Sequence, residues 1–163
     1  KPTIVNSGTY AYQSELRPYF RSTAAHNTAT IDGDEQMECW AEHRVARGVG
    51  RVRVEVVDEC HIVASFYNYK GHLHHRRIEL CDGALTVEDS TDRGDAEVVQ
   101  RYHLAPGCSL PIVPGWGCEF ALEEAVCSSE FGKSADGTVV AIVGNRTVCA
   151  TIPLCNDEGG AGR

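Results

Sequence analysis

Hydrophobicity alternates with a period of two along most of this chain, in runs bounded by turn residues. The run "RVRVEVV" at 51–57 sends every second side chain to one face, and "HIVASFY" at 61–67 follows a turn at Asp58 and Glu59. An extended backbone points successive side chains to opposite faces, so each such run makes one wet and one buried surface. Further runs are "RRIEL" at 76–80 and "ALTVE" at 84–88, joined across the two-residue hairpin signal Asp82-Gly83. "VVQRYHL" at 98–104, "CEFALEEAV" at 118–126, "TVVAIV" at 138–143 and "TVCATI" at 147–152 continue the pattern. "NTATID" at 27–32 reads as a strand running into the turn Asp32-Gly33-Asp34. With roughly ten short strands and next to no helical period, the sequence predicts an all-β fold, an antiparallel β-sandwich of about ten or more strands.

The length of 163 residues suits one domain and is short for two. The expected domain runs over 1–155, with "NDEGGAGR" at 156–163 as a disordered tail. The stretch "APGCSLPIVPGWG" at 105–117 is a loop inside it, because strand patterning resumes on both sides. A formal net charge of −8 means that a polyanion has to be attracted by a local basic patch, and no nucleic acid is expected as a partner. No run approaches the ~20 apolar residues of a membrane span, and the first residues lack the apolar region of a signal peptide. The absence of an initial Met suggests a piece of something larger. Eight cysteines are spread without a closely spaced pair, which disfavours a zinc knuckle and a disulfide framework. Cys60, Cys81, Cys118 and Cys149, in or beside strands, are expected to act as small buried hydrophobes.

Several stretches carry a resemblance. "SGTYAY" at 7–12, "RPYFRSTAAHNT" at 17–28 with "TIDG" at 30–33, "HHRRIEL" at 74–80, "RYHLAPG" at 101–107 and "SSEFGKS" at 128–134 follow a known order and approximate spacing. Together they resemble the C-terminal β-sandwich domain of the heparinase II/III-like polysaccharide lyases. "YFRSTAAHNT" at 19–28 is the specific part. Where members of that family often show a His-Asp-Gly-Tyr type stretch, this chain has Phe66 to Gly71. The resemblance implies a fragment of a larger enzyme, in which a helical toroid precedes a supersandwich-like domain. It also implies lyase activity on an acidic, uronic-acid-containing polysaccharide of the heparin/heparan or alginate type. The domain's own N-terminal helical partner is then a second requirement, and this chain alone is expected to be inactive.

Lyases of this class remove the C5 proton of a uronic acid and expel the O4-linked sugar. That proton is barely acidic while the neighbouring carboxylate keeps its charge. The site must neutralise the carboxylate, supply a base and protonate the leaving oxygen. On its residues alone His26 reads as a satisfied histidine at a strand start. The resemblance places it instead at the position of the family's sandwich histidine, which faces an Asn and a Tyr of the helical domain. An imidazole there can move a proton near neutral pH or pair with the carboxylate. Ala24 and Ala25 let a sugar ring approach, and Arg21 is placed to bind an acidic group or to anchor structure. Asn27 is a substrate-binding candidate whose other reading is a strand-start group bonding backbone. Tyr12 and Tyr19 are candidates for sugar contact, within a group that includes Tyr10, Tyr67 and Tyr69. Trp40 and Trp116 are available for stacking, one of them being expected to anchor the core.

A second cluster, "GHLHHRR" at 71–77, puts His72 and His74 on one face and His75 on the other. Two histidines do not make a metal site, and a third ligand such as Asp58, His61 or His103 has to come from elsewhere. Zinc or another divalent metal is therefore an open expectation, since some relatives hold zinc through two His and an Asp. His103, in an alternating strand, reads as structural. The reading from a different class is a non-catalytic carbohydrate-binding or scaffold module. A stand-alone metal-dependent enzyme rests on the His cluster only. The sequence leaves the compartment open between the periplasm and the cytoplasm of a bacterium.

Overall fold

The computed structural model describes residues 3–41 and 43–154, so Cys155 and the expected tail lie outside the described residues. Twelve strands form three antiparallel sheets, with one helix of five residues, α1 (Arg17–Arg21), and a 3-10 turn at Thr23–Ala25. The strands are β1 (Ala29–Ile31), β2 (Glu38–Trp40), β3 (Arg44–Arg47), β4 (Arg53–Val56), β5 (His61–Tyr67) and β6 (Leu73–Cys81). They continue as β7 (Ala84–Ser90), β8 (Glu97–Leu104), β9 (Val113–Pro114), β10 (Glu119–Glu130), β11 (Lys133–Asn145) and β12 (Thr147–Pro153). A four-stranded sheet in the order β1-β8-β11-β10 packs on a six-stranded sheet ordered β4-β5-β6-β7-β12-β9, while β2 and β3 pair as a separate hairpin.

Local chemistry explains the hairpins. Asp82 and Gly83 both have positive φ, 50° and 72°, the two-residue turn whose twist suits the strands it joins. It sets the β6–β7 register from Cys81 opposite Ala84 out to His75 opposite Ser90. The core lies between the sheets, where Val98, Tyr102 and Leu104 of β8 and Val140 and Ile142 of β11 meet Val87 of β7 and Val148, Ala150 and Ile152 of β12. Ile112, from the Pro/Gly loop, closes one end of it. No described helix is long and apolar enough to cross a membrane.

Three expectations change. The alternation at 51–57 belongs to an edge strand that overhangs the shorter sheet, so Val54 and Val56 are 65% and 68% exposed. Cys60 and Cys81 are exposed, and Cys127 is the buried thiol; all seven described cysteines are free. Trp40 and Trp116 are both on the surface, so neither anchors the core.

Candidate active site around His26

The face of the four-stranded sheet turned away from the core is covered by residues 17–26. Phe20 and Ala25 are buried there, and the 3-10 turn ends when the His26 amide donates to the Thr23 carbonyl at 3.1 Å. Glu35 and Thr23 hold the turn from the other side: the Thr23 amide donates to Glu35 Oε2 at 2.5 Å, and the Gln36 amide donates to Thr23 Oγ1 at 2.8 Å. His26 thus sits half-buried at a fixed bend between the turn and β1. The run of small residues Ser22 to Ala25 is legible in this light, since only small side chains let the turn lie flat on the sheet.

Three residues frame the His26 ring. Asn6 places its amide nitrogen 3.0 Å from Nδ1. Burial lowers the His26 pKa, and the charge of Glu35 opposes that shift. Beneath it His103 is fully buried, and burial, the neighbouring His26 and Arg101 hold its pKa down at about 4. Nε2 of His26 has no hydrogen bond to a described residue, which leaves it for solvent or a ligand.

The other candidates part company. Asn27 turns its amide inward: Oδ1 accepts from the His103 backbone amide at 2.8 Å and faces its Nδ1 at 3.2 Å, while Nδ2 donates to the Val5 carbonyl at 2.9 Å. Arg21 donates to the carbonyls of Ala41 and Arg44, at 2.6 and 3.1 Å, and so pins the turn of the β2–β3 hairpin. Tyr12 is exposed and packs on Phe131 with ring centroids 5.5 Å apart. The Tyr19 hydroxyl is buried, and its ring meets Phe20 edge-on.

The histidines of 71–77 do not converge. His74 is buried on the inner face of β6, its Nε2 2.7 Å from Asp89 Oδ1 and its Nδ1 3.4 Å from the Gln36 amide. Arg76 grips the same carboxylate through Nε and an η-nitrogen, both at 2.7 Å, and donates its other η-nitrogen to the Asn27 carbonyl at 2.9 Å. Gln100 donates to Asp89 Oδ2 at 2.7 Å. Burial raises the Asp89 pKa, but Arg76 and His74 outweigh it and leave it at about 2. His72 lies 3.3 Å from Asp34, and His61 pairs with Asp58 and Glu79 at the far end of β5. Among the described residues no group of three or more His, Cys, Asp or Glu can hold a metal ion. His74 and Asp89 bond to each other and to Arg76, Gln100 and Gln36, and the described residues bring no third ligand to them, so they do not fit a zinc centre.

Two sheets of four and six strands thus form a sandwich that carries a half-buried histidine on an outer face and a buried ionic hub between its layers. The chain belongs to the family described as Heparinase II/III-like, C-terminal, which matches residues 1–149. Among solved structures, it superposes on the heparinase III BT4657 gene product in its methylated-lysine form with a TM-score of 0.68 at 17% identity. That alignment covers 96% of this chain and 28% of the other. The heparan sulfate lyase HepC from Pedobacter heparinus gives a TM-score of 0.65 at 15% identity, over 96% of this chain and 29% of that one. Those likenesses fix the fold, and the chain spans less than a third of either structure. No curated protein sequence matches it.

Proposed function

We propose that the chain is the sandwich part of a polysaccharide lyase that cleaves a uronic-acid-containing polymer by β-elimination. His26 supplies a neutral imidazole at the reacting sugar. The C5 proton leaves to a base, the C4–O bond breaks, and the leaving oxygen takes up a proton, giving an unsaturated uronate. Arg21 lends its charge to an acidic group while holding the β2–β3 turn, and Tyr12 offers an exposed ring. The inward amide of Asn27 and the buried hydroxyl of Tyr19 make these two residues supports for the site's floor. The observation that carries the reading is the free Nε2 of His26, at a bend the fold holds from both sides, in a chain of this family.

His26→Ala in the full-length protein is expected to lower turnover by about 10²- to 10⁴-fold, the scale of a lost acid–base group. His26→Gln keeps a hydrogen-bond donor but cannot titrate. Substantial activity in that variant assigns His26 to binding the carboxylate, and a loss as deep as that of Ala assigns it to proton transfer. Near-normal turnover of His26→Ala on a polymer that the parent clearly cleaves overturns the assignment.

A further inference from the structure

We propose that Asn6 fixes the tautomer of His26, so that the neutral ring carries its proton on Nε2 and presents a donor to solvent or a ligand. This rests on the reading of His26 as the site histidine and narrows its role. An amide and an imidazole nitrogen 3.0 Å apart admit two arrangements: the amide oxygen accepts from Nδ1–H, or the amide NH₂ donates to a bare Nδ1. Nothing in the pair itself decides, because the amide can turn over. Gly8 decides. Its backbone N–H lies 2.9 Å from Asn6 Oδ1, and an N–H can only donate, so oxygen must face it. Nδ2 is then the atom turned toward His26, and Nδ1 must be the acceptor.

Gly8 is itself held in place. It bridges to Ser128 of β10, its φ is +83°, and a Cβ there would lie 1.9 Å from the Ser128 carbonyl oxygen. The Ser128 amide donates to the Ser7 carbonyl at 2.7 Å, and the Ser7 hydroxyl donates to the carbonyl of Ala25, the residue before His26. Amide and ring are therefore carried by one frame. The charged and titratable groups facing His26 are Glu35, which favours the imidazolium, and His103 of β8, whose own protonation a charged His26 disfavours. Protonating the ring sets an Nδ1–H against the Asn6 NH₂, a mismatch that acts in the same direction as burial. A neutral ring with Nε2–H can hydrogen-bond a uronate carboxylate or the leaving oxygen. Removal of the C5 proton then falls to another group, and Asn6 is a positioning residue.

The test is a long-range proton–nitrogen spectrum of the histidine rings of the 163-residue chain, recorded across a pH titration. His26 should show a pyridine-type Nδ1 and a pyrrole-type Nε2. A hydrogen bond of ordinary strength biases the two tautomers by about three- to tenfold, and Asn6→Ala should remove that bias. Asn6→Asp keeps one oxygen for Gly8 and turns the other to Nδ1, so the ring should convert to Nδ1–H and titrate at higher pH than in the parent. A parent ring protonated on Nδ1, or an Asn6→Asp ring that keeps Nε2–H and the parent's titration, overturns the proposal. The spectrum needs no substrate. Normal turnover of a full-length His26→Ala enzyme sinks the catalytic reading and leaves the tautomer result standing.

Discussion

At the scale of single residues, two buried titratable groups act in separate pH windows. Asp89 has its pKa lowered to about 2 in the fold against about 3.9 in an unfolded chain. Its contribution to stability is full above the unfolded value and disappears as pH falls through about 2. His103 is also lowered, to about 4, from about 6.5 when unfolded. A lowered histidine pKa means that the unfolded chain takes up a proton the fold refuses, so stability falls progressively from about pH 6.5 to pH 4. His26 acts in the same sense. The urea midpoint should therefore decline between pH 7 and pH 4.5, and His103→Asn, which keeps a donor near the Nδ1 position but cannot titrate, should flatten the decline. A parent midpoint that stays level over that interval contradicts a buried neutral His103. The local motif singled out His26 as a candidate and passed over the Asp89 hub, although a signal for it existed. Counting outward from Asp82-Gly83 places Arg76 opposite Asp89, but the visible alternation stops at Glu88 and a hydrophobic period says nothing of an ion pair facing inward.

At the scale of elements, the strands that the period of two revealed are those with one face on the core. The β2–β3 hairpin was not legible because its hold is polar: Arg21 bonds two of its carbonyls, and Arg47 pairs with Glu38 at 2.5 Å. The overhang of β4 was invisible for a different reason. Alternation shows that a face is apolar, not that a second sheet lies opposite. The N-terminal segment is the least regular element and the most consequential, as it is tied by isolated bridges to β8 at Ile4 and to β10 at Gly8. Gly8→Ala forces a Cβ into the Ser128 carbonyl at a positive φ and is expected to cost about 1–3 kcal/mol. The loss should be local. Hydrogen exchange at the Val5 and Ser128 amides, which donate to His103 and Ser7, should accelerate well before that of the β8–β11 pair. Unchanged protection at both amides contradicts the role given to Gly8.

At the scale of the molecule, the sandwich and the lyase chemistry meet in what this chain supplies and what it does not. β-Elimination requires a neutralised carboxylate, a base and an acid. Around the His26 ring the described residues place Asn6, Glu35 and His103. Asn6 cannot titrate, Glu35 is engaged by the Thr23 amide, and His103 is fully buried. That leaves one exposed ring nitrogen for three tasks, and if Asn6 sets its tautomer, that nitrogen is a donor. Under the proposed function the remaining tasks fall to groups outside this chain, which covers 28–29% of the solved structures' length, and the family resemblance suggests a helical domain as their source. The chain by itself, folded, is therefore expected to give no turnover on heparan sulfate, alginate or hyaluronan, followed through the ultraviolet absorbance of the unsaturated uronate. Mixing it with the separately produced helical portion, or joining the two, should restore the signal on the natural polymer, and His26→Ala should lower the restored activity by the factor given above. Steady growth of the absorbance with the isolated chain would mean that one sandwich face holds the base as well as the donor, and the two-part mechanism would have to be abandoned.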